Sequence, residues 1–127
     1  MAFSDTKTVS EDLAREIAAS AGTALGAGYQ ATISLHECSI GRLVIKTALR
    51  RSIFGRSGIL REHEVYQRLA GTAGIPKMHG MLGDCALVLE YVEGESLRNC
   101  DAMLSDREAF FAQMLQTIDA MHAAGVA

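Results

Sequence analysis

Apolar and polar residues alternate along some stretches of this chain and recur every three or four positions along others. Ala31, Ile33 and Leu35 alternate with polar neighbours between Tyr29 and His36, which predicts a strand. Glu37-Cys38-Ser39-Ile40-Gly41-Arg42 reads as a turn, and Leu43 to Leu49 as a second strand. Ile75-Pro76-Lys77-Met78-His79-Gly80 enters another strand, because proline tolerates a strand start. Gly83-Asp84 turns it back as Ala86 to Val92, which makes a hairpin. Helical spacing marks the remaining segments. Thr8-Val9-Ser10-Glu11 fits a capping box, and Leu13 and Ile17 carry a short helix to about Ser20. Glu62, Tyr66 and Leu69 share one face of a helix over residues 59–70, stopped by Gly71 to Gly74. Ser105-Asp106-Arg107-Glu108 is a second capping box. It opens a helix with Phe111, Met114, Leu115, Ile118, Met121 and His122 on one side. Gly22, Gly26 and Gly28 break the pattern after the first helix. Arg50, Arg51, Gly55, Arg56 and Gly58 read as a basic, flexible loop. After the N-terminal helix the order is β-β-α-β-β-α, an α+β fold.

Composition narrows the function classes. A chain of 127 residues has room for one domain. Its 49% hydrophobic and 21% charged residues are ordinary for a soluble globular protein. The net charge of −3 does not supply the basic surface that a nucleic-acid partner needs. No apolar run is long enough to span a bilayer, and Met1 to Lys7 lack the apolar core of a signal peptide. Cys38, Cys85 and Cys100 form neither a metal spacing nor a disulfide framework, and read as free thiols in a reducing cytoplasm. His36, His63, His79 and His122 also lack ligand spacing, so they read as surface or structural residues and no metal site is expected.

The chemistry concentrates in four places. Lys46 ends the apolar strand Leu43-Val44-Ile45-Lys46. A buried ammonium needs an anionic partner, and Glu62, on the predicted helix, can supply one. Glu64 is a rival for this role, but it lies about 200° from Glu62 around the helix and should point outward. Upstream, Leu25-Gly26-Ala27-Gly28-Tyr29-Gln30-Ala31-Thr32-Ile33 holds glycines that could let backbone N–H groups approach phosphates. A dinucleotide-binding turn fits less well, because it needs a helix after the glycines and a strand signal follows here. Downstream, Leu87-Val88-Leu89-Glu90-Tyr91-Val92-Glu93-Gly94-Glu95-Ser96-Leu97 is an apolar strand running into an acidic segment. The segment resembles a kinase hinge, a likeness that implies backbone bonds from Glu90 and Val92 to a nucleobase and a ribose contact from Glu95 or Ser96.

In order and spacing these elements resemble the N-terminal, ATP-binding lobe of the protein-kinase-like superfamily, over about residues 22–127. Bacterial serine/threonine, RIO-like and lipopolysaccharide-core kinases are the similar branches. Gly26, Gly28 and Ile33 match the glycine-rich loop G-x-G-x-x-G-x-V, and Ala31 stands where its third glycine would be. Val44-Ile45-Lys46 resembles V-A-I-K, and the helix bearing Glu62 resembles the αC helix.

The resemblance implies an antiparallel N-lobe sheet with an αC-type helix, an N-terminal helix and a C-terminal αE-type helix. It divides the chain into an N-terminal extension (1–21), an ATP-binding region with hinge (22–97) and the start of a second lobe (98–127). It implies an ATP-dependent kinase. Lys46 would contact the α- and β-phosphates and Glu62 would hold Lys46 in the active arrangement. Leu25, Ile33, Val44 and Leu89 would sandwich adenine, with Leu89 as gatekeeper. The acceptor expected first is a protein serine or threonine. A sugar, lipopolysaccharide core or aminoglycoside comes second. Mg²⁺ is expected for the family, but no residue of this sequence matches its ligands.

The sequence departs from the family in three ways. Ala31 replaces a glycine. The strand before the loop is poorly marked in Ala21-Gly22-Thr23-Ala24. No catalytic-loop aspartate follows Met121-His122-Ala123-Ala124-Gly125-Val126-Ala127. The chain is therefore expected to be catalytically incomplete alone and to self-associate through its C-terminal helix. A pseudokinase-like regulatory module and an unrelated α+β interaction domain are the rival readings.

Overall fold

The computed structural model describes residues 6–27, 31–49, 55–94 and 104–126. Helix α1 (Glu11–Ala19) leads into β1 (Thr23–Ala27), β2 (Ala31–Cys38) and β3 (Gly41–Ala48). Helix α2 (Gly55–Arg68), the hairpin β4 (Met78–Leu82) and β5 (Ala86–Glu90), and helix α3 (Arg107–Ala123) follow. The strands form one five-stranded antiparallel sheet in the order β1-β2-β3-β5-β4. Inserting β5 between β3 and β4 places Lys46 opposite Ile33 on one side and Leu87 on the other.

Strand alternation sorts the apolar residues onto two faces. Leu43, Ile45, Ala86 and Val88 pack with Val9 and with Ile17 of α1. Ala31, Leu87 and Leu89 pack with Met78, Met81 and Ile59 of α2, and Val44, Ala48 and Tyr66 close around them. The central strands are thus buried on both sides, and Leu87 and Val88 expose no measurable surface.

Local signals place the elements, with corrections. Ser10, not Thr8, caps α1, its side chain accepting from the Leu13 amide. Thr8 cannot begin a helix because its backbone bridges Met81 in parallel at the edge of β4. Likewise Asp106, not Ser105, caps α3 by accepting from the Ala109 amide. Gly55, Arg56 and Gly58, read as loop, form the first turn of α2. Helical glycine costs about 1 kcal/mol each. Burial of Ile59, which is 2% exposed, returns about 2–3 kcal/mol and Gly55 is itself buried. β1 exists although its side chains give no signal. All five of its residues are exposed, so it is held by backbone pairing with β2, with a bulge between Ala24 and Gly26. β5 stops at Glu90, two residues before the predicted Val92. Arg50, Arg51, Gly28, Ser96 and Cys100 lie outside the described residues.

Candidate functional site

On the α2-facing side of the sheet, Lys46 stands two residues before the end of β3, flanked across the ladder by Ile33 and Leu87. Two positions back Val44 faces Leu35 and Leu89. Pleating puts Val44, Lys46, Leu87 and Leu89 on this one face. The helix α2 packs across it, and Glu62 reaches back to the lysine.

Lys46 Nζ donates to Glu62 Oε1 at 2.8 Å. The two side chains are 29% and 37% exposed, respectively, so the pair is partly screened yet reachable from solvent. Tyr66, one turn further along α2, has its phenol pushed up by burial first and by the Glu62 carboxylate second, with Lys46 opposing. The tyrosine therefore remains a neutral wall beside the ion pair. Glu64 points away and pairs with Arg68 at 3.0 Å, one turn on.

Beyond β5 the chain leaves the sheet at Glu90. The Glu90 amide donates to the Lys77 carbonyl at 2.8 Å, and the Tyr91 amide to the Arg42 carbonyl at 3.2 Å. Glu90 can thus offer a ligand its carbonyl but not its N–H, which narrows the sequence expectation of backbone bonding there. Leu89 lies buried in the α2-side core, and Val92 is 60% exposed. Leu25 is 49% exposed on β1. Gly26 lies opposite Ile33. A Cβ built on Gly26 would meet nothing within 4 Å, so no part of the described chain requires glycine there. Gly28 and Ser96 lie outside the described residues.

The arrangement offers an ammonium held by a carboxylate on the α2-facing side of the sheet, which also carries the apolar side chains of Val44, Leu87 and Leu89. It can attract an anion. It does not provide a divalent-cation site among the described residues, where no three His, Cys, Asp or Glu side chains cluster. Among the described residues Cys38 and Cys85 form no disulfide, and the Cys85 thiol donates to Asp84 Oδ1 at 3.2 Å. Among the described residues no helix is long and apolar enough to cross a membrane.

Of the two roles the sequence left open for His63, surface or structural, the structure shows the structural one. The residue is 4% exposed and accepts the backbone N–H of Lys7 through Nε2 at 3.0 Å. The signal was its spacing of four from Ile59 and three from Tyr66, which places it on the buried face of α2.

No protein-family model matches the chain, and no curated protein matches it. Among solved structures it is similar to an aminoglycoside phosphotransferase, the streptomycin–ATP–APH(2")-IIa ternary complex, a protein-kinase-like fold. The TM-score is 0.52 at 24% identity over 77% of this chain. The chain spans about a third of that structure, 32% of its length. The architecture is therefore a kinase-N-lobe-like α+β fold.

Proposed function

We propose that this chain is the nucleotide-binding region of a kinase-like phosphotransferase. The observation that carries the reading is the 2.8 Å contact between Lys46 and Glu62 within the sheet order β1-β2-β3-β5-β4. A strand lysine held by a helix carboxylate is the arrangement that aims an ammonium at nucleotide phosphates. The solved neighbour contains ATP, which supports ATP as the nucleotide.

In this reading Lys46 meets the α- and β-phosphates and Glu62 fixes its direction. Backbone N–H groups between Gly26 and Ala31 cover the phosphates. Leu25, Ile33, Val44 and Leu89 enclose adenine. The Glu90 carbonyl and the Val92 amide bond the base edge, and the ribose contact is assigned to Ser96, outside the described residues. Residues 22–97 form the nucleotide-binding region and 98–127 the start of a second lobe. The described residues do not fit Mg²⁺, so no step is assigned to it and the roles end at binding and orienting the nucleotide. For the acceptor, a small-molecule hydroxyl of the aminoglycoside class is favoured over a protein serine or threonine, because the neighbour carries streptomycin with its ATP.

Photolabelling with an azido-adenine analogue of ATP tests the placement. Label is expected in the peptides carrying Val44, Leu89 and Val92, with protection by unlabelled ATP. Label confined to α1 or α3, or label that ATP fails to displace, would contradict the site.

A further inference from the structure

The segment before α1 runs along the outer edge of β4. The Met81 amide donates to the Lys7 carbonyl at 2.8 Å, and the Val9 amide to the Met81 carbonyl at 3.0 Å. Val9 is buried in the α1-side core. The same segment turns the Lys7 N–H to His63 Nε2 at 3.0 Å. One strap of backbone therefore ties the edge of the sheet to α2, between residues 56 apart in sequence.

β4 is shaped to receive this strap. Its register shifts between Met78 and Gly80, and Gly80 has φ +133°. A Cβ there would sit 3.0 Å from the Lys7 oxygen, the Thr8 carbon and the Val9 nitrogen. Only glycine allows this φ and this approach together.

His63 is the residue after Glu62. Consecutive helical side chains point about 100° apart, so Glu62 can face Lys46 while His63 faces the strap. We propose that His63 is a positioning residue: by accepting the Lys7 amide it fixes the rotation of α2 that brings Glu62 onto Lys46. This rests on the nucleotide-site reading for its functional consequence, but not for its geometry.

The surroundings favour neutral His63. Burial lowers its pKa most, and the Lys7 ammonium lowers it further. On α2, Glu62 is turned to Lys46 and Glu64 to Arg68. From β4, Met78 and Met81 are apolar. From β5 and β3, Leu87, Leu89 and Val44 are apolar. A protonated His63 could not accept the amide, so acid should free the strap.

The test reads geometry and binding separately. A carbodiimide joins a contacting lysine and carboxylate without a spacer, and the Lys46–Glu62 cross-link is scored by peptide mass. Wild type should cross-link. His63→Leu should lower the yield about tenfold, the factor associated with a lost buried hydrogen bond. His63→Gln should restore most of it, because its amide oxygen can stand where Nε2 stood. Gly80→Ala should lower the yield from the other end of the strap, with α2 unaltered in sequence. ATP affinity should follow the same order, and its decline as pH falls below the ordinary histidine range should be steeper in wild type than in His63→Gln. Circular dichroism verifies that each variant is folded. Folded His63→Leu and Gly80→Ala proteins with wild-type cross-linking would overturn the proposal, as would a His63→Gln no better than His63→Leu. If cross-linking follows the predicted order while no variant and no wild type binds ATP, the nucleotide reading fails and the positioning role stands.

Discussion

Glu62→Gln keeps the size and polarity of the side chain and removes its charge. At 2.8 Å the Coulomb attraction is about 6 kcal/mol for an effective dielectric of 20 and about 1.5 kcal/mol for bulk water. Exposures of 29% for Lys46 and 37% for Glu62 place the pair nearer the solvent limit. Desolvation and side-chain ordering offset much of what remains, and exposed pairs measure about 0.2–1 kcal/mol. The net coupling should therefore be about 1 kcal/mol. It is isolated by a double-mutant cycle in urea with wild type, Lys46→Met, Glu62→Gln and the double variant, provided that the m-values agree. Each single variant leaves one charge partly buried and unpaired, so the double variant should be more stable than the sum of the singles implies. Coupling within about 0.3 kcal/mol of zero, the usual error of additivity, would show that the pair does not form in solution. The orientation assigned to Lys46 would then lose its basis.

The remaining predictions concern the frame around this pair. Leu87→Ala removes a fully buried side chain between β3 and β4. It should cost about 2–5 kcal/mol in urea unfolding, and a loss under about 1 kcal/mol would contradict the packing described. Ser10→Ala removes the acceptor for the Leu13 amide and should cost about 1 kcal/mol, seen as a lower unfolding midpoint. The folded-state pKa values of His63 and His79 are lowered. The unfolded chain then binds more protons, so stability is present above about pH 6.5 and falls as pH drops below it. Urea unfolding across that range should show the decline, and His63→Gln should reduce it. On α3, Leu115 is 58% exposed, Met114 39% and Ile118 36%. Wild type should associate with rising concentration in sedimentation, and Leu115→Lys should weaken that association.

What the sequence made legible follows from what the residues bury. β3 and β5 announce themselves because Leu43, Ile45, Leu87 and Val88 fill both faces of the sheet centre. The meeting of Lys46 and Glu62 was readable because a strand-end ammonium needs a carboxylate, and Glu62 lies on the same side of α2 as Tyr66. β1 was faint for the opposite reason. It buries nothing, and strand propensity reports side-chain packing rather than backbone pairing. The caps were displaced by one or two residues because Thr8 fits the motif but its backbone is already committed to Met81. The strap was invisible. Its donor is a backbone N–H, its acceptor looks like any histidine, and Gly80 looks like any turn glycine until Lys7 lies against it.

Nucleotide binding by the Lys46 site is the central claim, and calorimetric titration of ATP into wild type and Lys46→Met tests it most directly. Wild type should bind saturably. Lys46→Met should stay folded and bind at least about tenfold more weakly, as expected for loss of a charge-assisted phosphate contact. Equal affinity in the two proteins, or no binding by folded wild type, would contradict the account.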